Sequence, residues 1–109
     1  MANTFKLKTK ANVGVSTVGI YTAPAATTTV VIGITLSNTS GSGVNVGVGI
    51  TRAGTTEDVK LLKNAPIPQG SSLEFMGGNK VVLETTDTIP VDSDTNNSVD
   101  AALTIMEIT

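Results

Sequence analysis

Short segments in which apolar and polar residues alternate are the feature that most constrains this chain. In GVNVGVGIT (43–51) every second residue is a branched apolar one, namely Val44, Val46, Val48 and Ile50. A period of two places successive side chains on opposite faces of a β-strand. We expect the valine face to lie in the core. The other face, with Asn45, Gly47, Gly49 and Thr51, either admits a close stretch of backbone from the same chain or another subunit, or is covered by larger side chains from an opposing sheet.

Similar segments recur along the chain, at 4–10, 16–23, 27–38, 43–52, 59–64, 73–76, 80–84, 88–91 and 98–108. They are rich in Val, Ile and Thr, whose branched side chains favour strands over helices. No window shows a helical period over 11 residues or so. Turn signals about every 8–12 residues therefore predict an all-β fold, an antiparallel β-sandwich of jelly-roll or immunoglobulin-like type with about eight short strands. The 109 residues are expected to form a single β-sandwich domain, 1–109.

Glycines and prolines predict how these strands connect. TSGSG (39–43) indicates a β-hairpin between two long strands, and GGN (77–79) indicates a second hairpin. AGTTED (53–58) is predicted to be a turn. Proline lacks the amide hydrogen that a central strand needs, so 65–72 should not be a central strand and TIPV (88–91) should lie at an edge.

The alternation also predicts which side chains are buried. One shared buried face is expected to contain Ile32, Ile34, Leu36, Val46, Val48 and Ile50. In the closing segment the residues expected to need burial are Val99, Leu103, Ile105 and Ile108.

The composition argues against an enzyme. The sequence contains no cysteine and no histidine, and only 3% of its residues are aromatic. Disulfides, thiolate chemistry and histidine bases are therefore excluded, and no Ser-x-x-Lys motif supports a serine–lysine pair. The glycines lie within an alternating strand rather than before a helix, so they form no phosphate-binding loop. We expect no catalytic activity and no cofactor.

Charge is scarce, at 15% of residues with a net charge of −2. Only Lys6, Lys8 and Lys10 group together, at strand spacing, and they are interpreted as a solvated strand face, with a minor contact to an acidic partner as the alternative. No basic patch indicates nucleic acid. No apolar run approaches the roughly 20 residues of a membrane helix or resembles a secretory signal, which predicts a soluble protein made in a cytoplasm.

The acidic segment DSDTNNSVD (92–100) is the only candidate for a metal site. It places Asp92, Asp94, Asn96 and Asp100 at alternate positions, and such oxygen ligands suit Ca²⁺. The EF-hand pattern needs Gly and Glu where this segment has Asn97 and Leu103. The favoured interpretation is that these side chains form turns with their own backbone, so the four residues are only weak metal candidates.

Several motifs together resemble a known group of proteins. They are YTAP followed by threonines, LSNTSG before an alternating strand, NAPIPQGSSLEF, GNKVVLETTDTI and the closing VDAALTIMEI. In this layout the chain resembles small structural proteins of tailed-phage virions, those from phages of marine bacteria and cyanobacteria above all. The resemblance covers nearly all of the chain and contains no catalytic motif.

The resemblance implies a virion component without enzymatic activity, assembled in the host cytoplasm. The leading expectation is a homo-oligomeric decoration or cement protein that bridges capsomers, with the major capsid protein or other virion proteins as partners. A tail or baseplate protein and a host-surface or glycan-binding adhesin are the alternatives. A glycan site is less favoured because Phe5, Tyr21 and Phe75 are the only aromatic residues.

Overall fold

The computed structural model describes residues 3–52, 57–75 and 80–109. Nine strands follow one another in the chain, and the described residues contain no helix: β1 (Asn3–Val13), β2 (Val18–Thr22), β3 (Thr28–Asn38), β4 (Val44–Arg52), β5 (Glu57–Ile67), β6 (Ser72–Phe75), β7 (Val81–Leu83), β8 (Thr88–Ser93) and β9 (Val99–Ile108). The alternating segments of the sequence correspond to these strands, which confirms the predicted all-β class.

The strands form two antiparallel sheets that pack as a sandwich. The five-stranded sheet has the order β1-β9-β3-β6, and β7 pairs with β3 beyond β6. The four-stranded sheet has the order β2-β8-β4-β5. Each sheet turns one face of alternating residues towards the other, because only that arrangement removes the branched side chains from water.

The core lies between the sheets and consists mainly of branched aliphatic side chains. Its largest fully buried members are Leu36, Ile67, Leu83, Ile89, Leu103, Ile105, Val13, Val31, Val46, Val48, Val91 and Val99. Of the predicted core residues, Ile34 is also buried. In the closing strand Ile108 is only half-buried, because it occupies an even position, on the face opposite Val99, Leu103 and Ile105.

The predicted burial of Ile32 and Ile50 is wrong, since both are only half-buried. Val31 pairs with Ile105 and Gly33 with Thr104, which leaves Ile32 as an extra residue in β3. A bulge of this kind reverses the side-chain alternation after it. Val31 and Ile34 therefore both face the core, and Ile32 faces the other way. Ile50 lies near the end of β4 and packs against the rim of the core.

The predicted hairpin at 39–43 is also wrong, because β3 and β4 belong to different sheets. The segment instead carries the chain from one sheet to the other. Buried Asn38 holds this crossover: its Nδ2 donates to the carbonyls of Ser42 (2.8 Å) and Ile67 (2.9 Å). Its Oδ1 accepts from the backbone N of Ser40 (2.9 Å). The side chain supplies the bonds that a neighbouring strand would otherwise make.

The two proline predictions had different outcomes. Pro66 lies in β5, which among the described strands pairs with β4 alone and so is an edge strand; the exclusion of a central strand is confirmed. Pro90 was expected at an edge, but β8 lies between β2 and β4. It is tolerated because the β4–β8 ladder pairs Val91 and Thr88 but not the two residues between them. No amide donor is needed at that point.

β6 and β7 do not form a hairpin with each other. Both pair antiparallel with β3, β6 with Ile34–Ser37 and β7 with Thr29–Val31. They are two successive pieces of one sheet edge. The GGN turn predicted at 77–79 lies outside the described residues, as does most of the turn predicted at 53–58, although Glu57 and Asp58 already belong to β5.

The bare face of β4 is occupied by the same chain at close range. A Cβ atom on Gly47 would lie 2.5 Å from the Asp92 Oδ1 of β8. A Cβ atom on Gly49 would lie 2.5 Å from the Val59 carbonyl oxygen of β5. Side chains essentially never approach so closely, so glycine lets neighbouring strands of one sheet meet around the irregular register between β4 and β5.

Candidate assembly interface

The residues of the 92–100 segment hold neighbouring backbone in place. Asp94 Oδ1 accepts from the backbone N of Asn45 (3.1 Å), and Asn96 Oδ1 accepts from that of Val15 (3.2 Å). Asp100 Oδ1 accepts from the backbone N of Asn12 (3.0 Å). Asp92 reaches Thr17 Oγ1 at 3.4 Å.

The four candidate residues therefore have four different partners. Within residues 3–52, 57–75 and 80–109, no group of three or more His, Cys, Asp or Glu is placed to hold a metal ion.

Tyr21 joins the two sheets through a buried polar cluster. It projects from β2 of the four-stranded sheet, and its hydroxyl donates to Glu107 Oε2 (2.6 Å) on β9 of the five-stranded sheet. The hydroxyl also lies 2.8 Å from Thr29 Oγ1 on β3. Because a phenol has one hydrogen, Thr29 is the donor in that second bond. Lys6 Nζ completes the cluster 2.8 Å from Glu107 Oε1.

The cluster shifts the pKa values of Tyr21 and Glu107. Burial, and then the hydrogen bond to Glu107, raise the pKa of Tyr21 to about 12. The bonds from Lys6 and Tyr21 lower the pKa of Glu107 below its ordinary value. Glu107 is thus a buried anion with its acceptors occupied, and Tyr21 a neutral donor. Groups satisfied by one another in this way stabilise a structure and leave nothing free for a substrate.

The predicted solvated face of lysines is confirmed in part, since Lys6 and Lys10 are exposed and Lys8 is half-buried. Lys6, Lys8 and Lys10 lie opposite Ile105, Leu103 and Ala101, so they are on the core side of β1. β1 is the edge of its sheet, and Lys6 forms an ion pair there with the buried Glu107. Lysines on an edge strand oppose pairing with a further strand.

A second charged cluster surrounds Arg52 at the end of β4. Arg52 Nη2 contacts Glu84 Oε1, and its Nε lies 3.0 Å from Oδ2 of buried Asp87. The Nε hydrogen does not point at that oxygen, so the contact is ionic rather than a hydrogen bond. Asp87 Oδ2 also accepts from the backbone N of Glu84 (3.0 Å). This cluster ties the turn before β8 to β4.

The outer face of the five-stranded sheet, turned away from the four-stranded sheet, carries an unexpected row of apolar side chains. Residues directly opposite each other in antiparallel strands share a face. Phe5 pairs with Met106, Met106 with Val30, and Val30 with Val82. This apolar row crosses four strands, and its two ends are well exposed, Phe5 at 69% and Val82 at 57%. Leu7, 64% exposed, stands beside it.

Further along the same face the side chains are small and the surface is hollow. One depression of about 270 Å³ has Thr9, Ala102 and Thr35 in its lining. A second, of about 370 Å³, extends over Gly33 and Thr104. A Cβ atom added to Gly33 would meet nothing within 4 Å.

The outer face carries little charge. Among its outward positions in the described strands, only Glu74 and Asp100 are charged. An apolar surface with few charges has the composition found at the centres of protein interfaces. The outer face is therefore the candidate functional surface of this chain.

Sequence reasoning missed the apolar row for a definite reason. Its four members come from residues 5, 30, 82 and 106, and only the strand register places them side by side. The one local signal was in the closing strand, where Ala102, Met106 and Ile108 make the second face apolar as well.

None of the described residues belongs to a helix that is long and apolar enough to cross a membrane.

Three solved structures show what this fold is similar to. A protein from Bacillus endospore appendages, described as disulfide-linked pili, superposes with a TM-score of 0.60 at 14% identity, covering 99% of this chain and 87% of that chain. A protein of infectious bursal disease virus, Gx strain, gives a TM-score of 0.58 at 14% identity, covering 98% and 32%. The cyanophage Pam1 capsid asymmetric unit gives 0.53 at 12% identity, covering 96% and 83%.

These likenesses establish the fold, an all-β sandwich that also occurs in viral particles and in pili. The chain spans only about a third of the bursal disease virus protein, 32% of its length. No protein-family model and no curated protein matches the sequence.

Proposed function

We propose that the protein is a non-enzymatic structural subunit of a viral particle, a decoration or cement protein that bridges neighbouring capsomers of a phage capsid. The observation that carries the proposal is the outer face, on which the apolar row has two exposed ends and lies beside hollows whose linings include Thr35, Ala102 and Gly33. A surface of this kind gains free energy when another protein covers it.

The polar groups of the chain support the same proposal. Tyr21, Glu107 and Lys6 satisfy one another in one cluster, and Arg52 contacts two carboxylates in another. Neither cluster lines either depression of the outer face. The chemistry of the chain is thus directed to holding its own fold, and its exposed apolar surface to contact.

Attachment to a lattice would compensate for modest individual contacts. Among the outward positions of the described strands on the outer face, Phe5 is the one aromatic residue and none is an arginine. Aromatic residues and arginine are the types that dominate strong binding sites. When many copies bind to one particle, modest contacts add up to firm attachment. Viral particles are therefore a fitting location, with assembly in the host cytoplasm and capsid protein as partner.

The similarity to the endospore appendage protein supports a second candidate, a subunit of an extracellular fibre. Of the three likenesses it has the highest TM-score and covers 87% of the other chain. The appendages are described as disulfide-linked, whereas these 109 residues contain no cysteine. A fibre of this chain would be held together by noncovalent contacts such as those of the outer face.

Electron microscopy of intact phage particles from an infected culture tests the proposal. We expect peptides of this chain in purified particles and density for its sandwich at repeated positions on the capsid. Density on the tail or baseplate would correct the location. Particles without copies of the chain would overturn the proposal, and fibres containing it would favour the second candidate.

A further inference from the structure

We infer that the outer face binds the same outer face of a second copy of this chain, with a two-fold axis that runs across the strands. This inference deepens the proposed function by naming a partner surface, and it rests on that function only for the expectation that copies meet in a particle. The relief, symmetry, area and charge of the outer face support it.

The relief of the outer face has two unlike halves. One half contains the apolar row, which stands out from the sheet at Phe5 and Val82. Four residues further along β1, the corresponding outward row begins with Thr9 and continues with Ala102 and Thr35. That second row lies in the hollow half of the face. A ridge and a groove therefore lie side by side on one surface.

A two-fold axis between the halves brings each ridge over the groove of the other copy. The middle outward row contains Leu7, Thr104 and Gly33. It lies about 7 Å from the apolar row and about 7 Å from the hollow row, since two residues of a strand span that distance. Rotation about an axis along the middle row places the apolar row of each copy over the hollow row of the other copy. Each contact of this kind is made in duplicate, as in other isologous dimers.

The size of the face is sufficient for a dimer. Four strands about 4.8 Å apart and about ten residues long, at roughly 3.3 Å per residue, cover roughly 600 Å². Two such faces bury roughly 1,200 Å² in total, which is at the lower bound of standard specific interfaces. A reversible dimer follows, rather than an obligate one.

The charges of the chain are compatible with this symmetry. Glu74 and Asp100 both lie in the hollow half. Glu74 is opposite Thr35, and Asp100 lines the first depression. The axis turns each of them towards the apolar half of the partner, so like charges do not meet. Lys6 and Lys8 are on the core side of the sheet edge, outside the contact, whereas Lys10 lines the first depression, as Asp100 does. A partner recognised by charge would have to bind elsewhere.

Two matched glycine substitutions test the inference. Gly33 lies on the two-fold row, and Gly41 lies in the crossover between the sheets, and a Cβ atom at either would meet nothing within 4 Å. Gly33→Lys should therefore fold as the natural chain does but place a charge at the centre of the contact. Gly41→Lys makes the same chemical change outside it. Sedimentation equilibrium should show a dimer for the natural chain and for Gly41→Lys, with a dissociation constant at least a hundredfold higher for Gly33→Lys.

A cross-link keeps the test decisive if Gly33→Lys fails to fold. The chain has no cysteine, so Thr104→Cys introduces a single thiol that faces its own copy across the axis. A short bismaleimide should join Thr104→Cys chains into dimers, and should not join chains with Thr22→Cys, which lies on the other sheet.

Three results would overturn the inference: a natural chain that stays monomeric at millimolar concentration, a Gly33→Lys chain that folds and dimerises as well as Gly41→Lys, or equal cross-linking at both thiols. Such a monomer found on particles would leave the proposed function standing with capsid protein on the outer face. A dimer absent from every particle would refute the proposed function and leave this inference intact.

Discussion

Tyr21 shows how one residue can link the two sheets of the sandwich. Its hydroxyl lies within hydrogen-bonding distance of Thr29 and Glu107 in the opposite sheet. Leaving Glu107 buried without the bonds from Tyr21 and Lys6 would cost a large part of the stability of a small domain. The sequence did not reveal this role, because the partners are 8 and 86 residues away.

The ionisation of Tyr21 provides a direct measurement of the cluster. The chain has one tyrosine and no tryptophan, so tyrosinate absorbance reports on this residue alone. We expect a midpoint near pH 12 in the folded chain and about 10 in urea. Because the folded pKa is the higher one, the stability it contributes is full below about pH 10 and is lost as the pH rises towards 12.

Glu107→Gln is the matched variant for this titration. We expect its midpoint to fall but to stay above that of the unfolded chain, since burial is the larger cause of the raised pKa. A folded natural chain that titrates like a free tyrosine would contradict the cluster.

Gly49 and Gly33 differ in the space available to a side chain, although both lie in strands. At Gly49 a Cβ atom would lie 2.5 Å from the backbone oxygen of Val59, which cannot move without shifting β5. Gly49→Ala should lower the free energy of unfolding by about 1–3 kcal/mol. Gly33→Ala should be neutral or stabilise by up to about 1 kcal/mol, because the site is open. Urea unfolding of both variants at low protein concentration tests the contrast, and equal losses would refute it.

At the scale of elements, the alternation of apolar and polar residues predicted where the strands lie but not which strands pair with each other. Alternation of β-branched residues depends on sequence over a few positions, so all nine strands were visible. Pairing depends on contacts between distant segments, and three expectations failed there: the hairpin at 39–43, the edge position of Pro90 and the pairing of β6 with β7. The sequence also did not predict the bulge at Ile32. The run Val30–Ile32 is apolar throughout, so either of its two alternating sets of side chains could face the core.

The bulge in β3 makes a testable difference between two isoleucines that lie two residues apart. Ile34 is 3% exposed in the core, whereas Ile32 lies on the outer side and is half-buried. Ile34→Ala should lower the free energy of unfolding by about 2–5 kcal/mol. Ile32→Ala should cost less than half as much in dilute solution. Denaturant unfolding gives both values, and a larger loss at Ile32 would mean that the two side chains have exchanged faces.

The 92–100 segment is predicted to need no metal. Its side chains bond to the backbone of Asn45, Val15 and Asn12, and those bonds require no ion. Excess chelator should therefore leave the melting temperature unchanged, as measured by scanning calorimetry with and without added Ca²⁺. A lowered melting temperature that Ca²⁺ restores would establish a cation site instead.

At the scale of the whole molecule, the scarcity of charge determines how association should respond to salt. The outer face has two charged positions in its described strands and presents mostly apolar and small side chains. Raising sodium chloride from about 0.1 M to 1 M should change the dimer dissociation constant by less than about tenfold, since screening acts on ionic contacts. Sedimentation at both salt concentrations tests this, and dissociation at high salt would indicate an ionic interface.

The pairing of β1 with β9 also has a consequence for the order in which the chain folds. Asn3 pairs with Ile108 and Val13 with Val99, so nearly the whole chain must be in place before this ladder can close. Contacts between such distant segments form slowly, because chain entropy is lost before any bond repays it. During synthesis β1 is made before the other eight strands, and its ladder with β9 can form only after β9, the last of the nine, has been made. During that interval the lysines of β1 keep its unpaired edge soluble, and the outer face is completed only when β9 arrives.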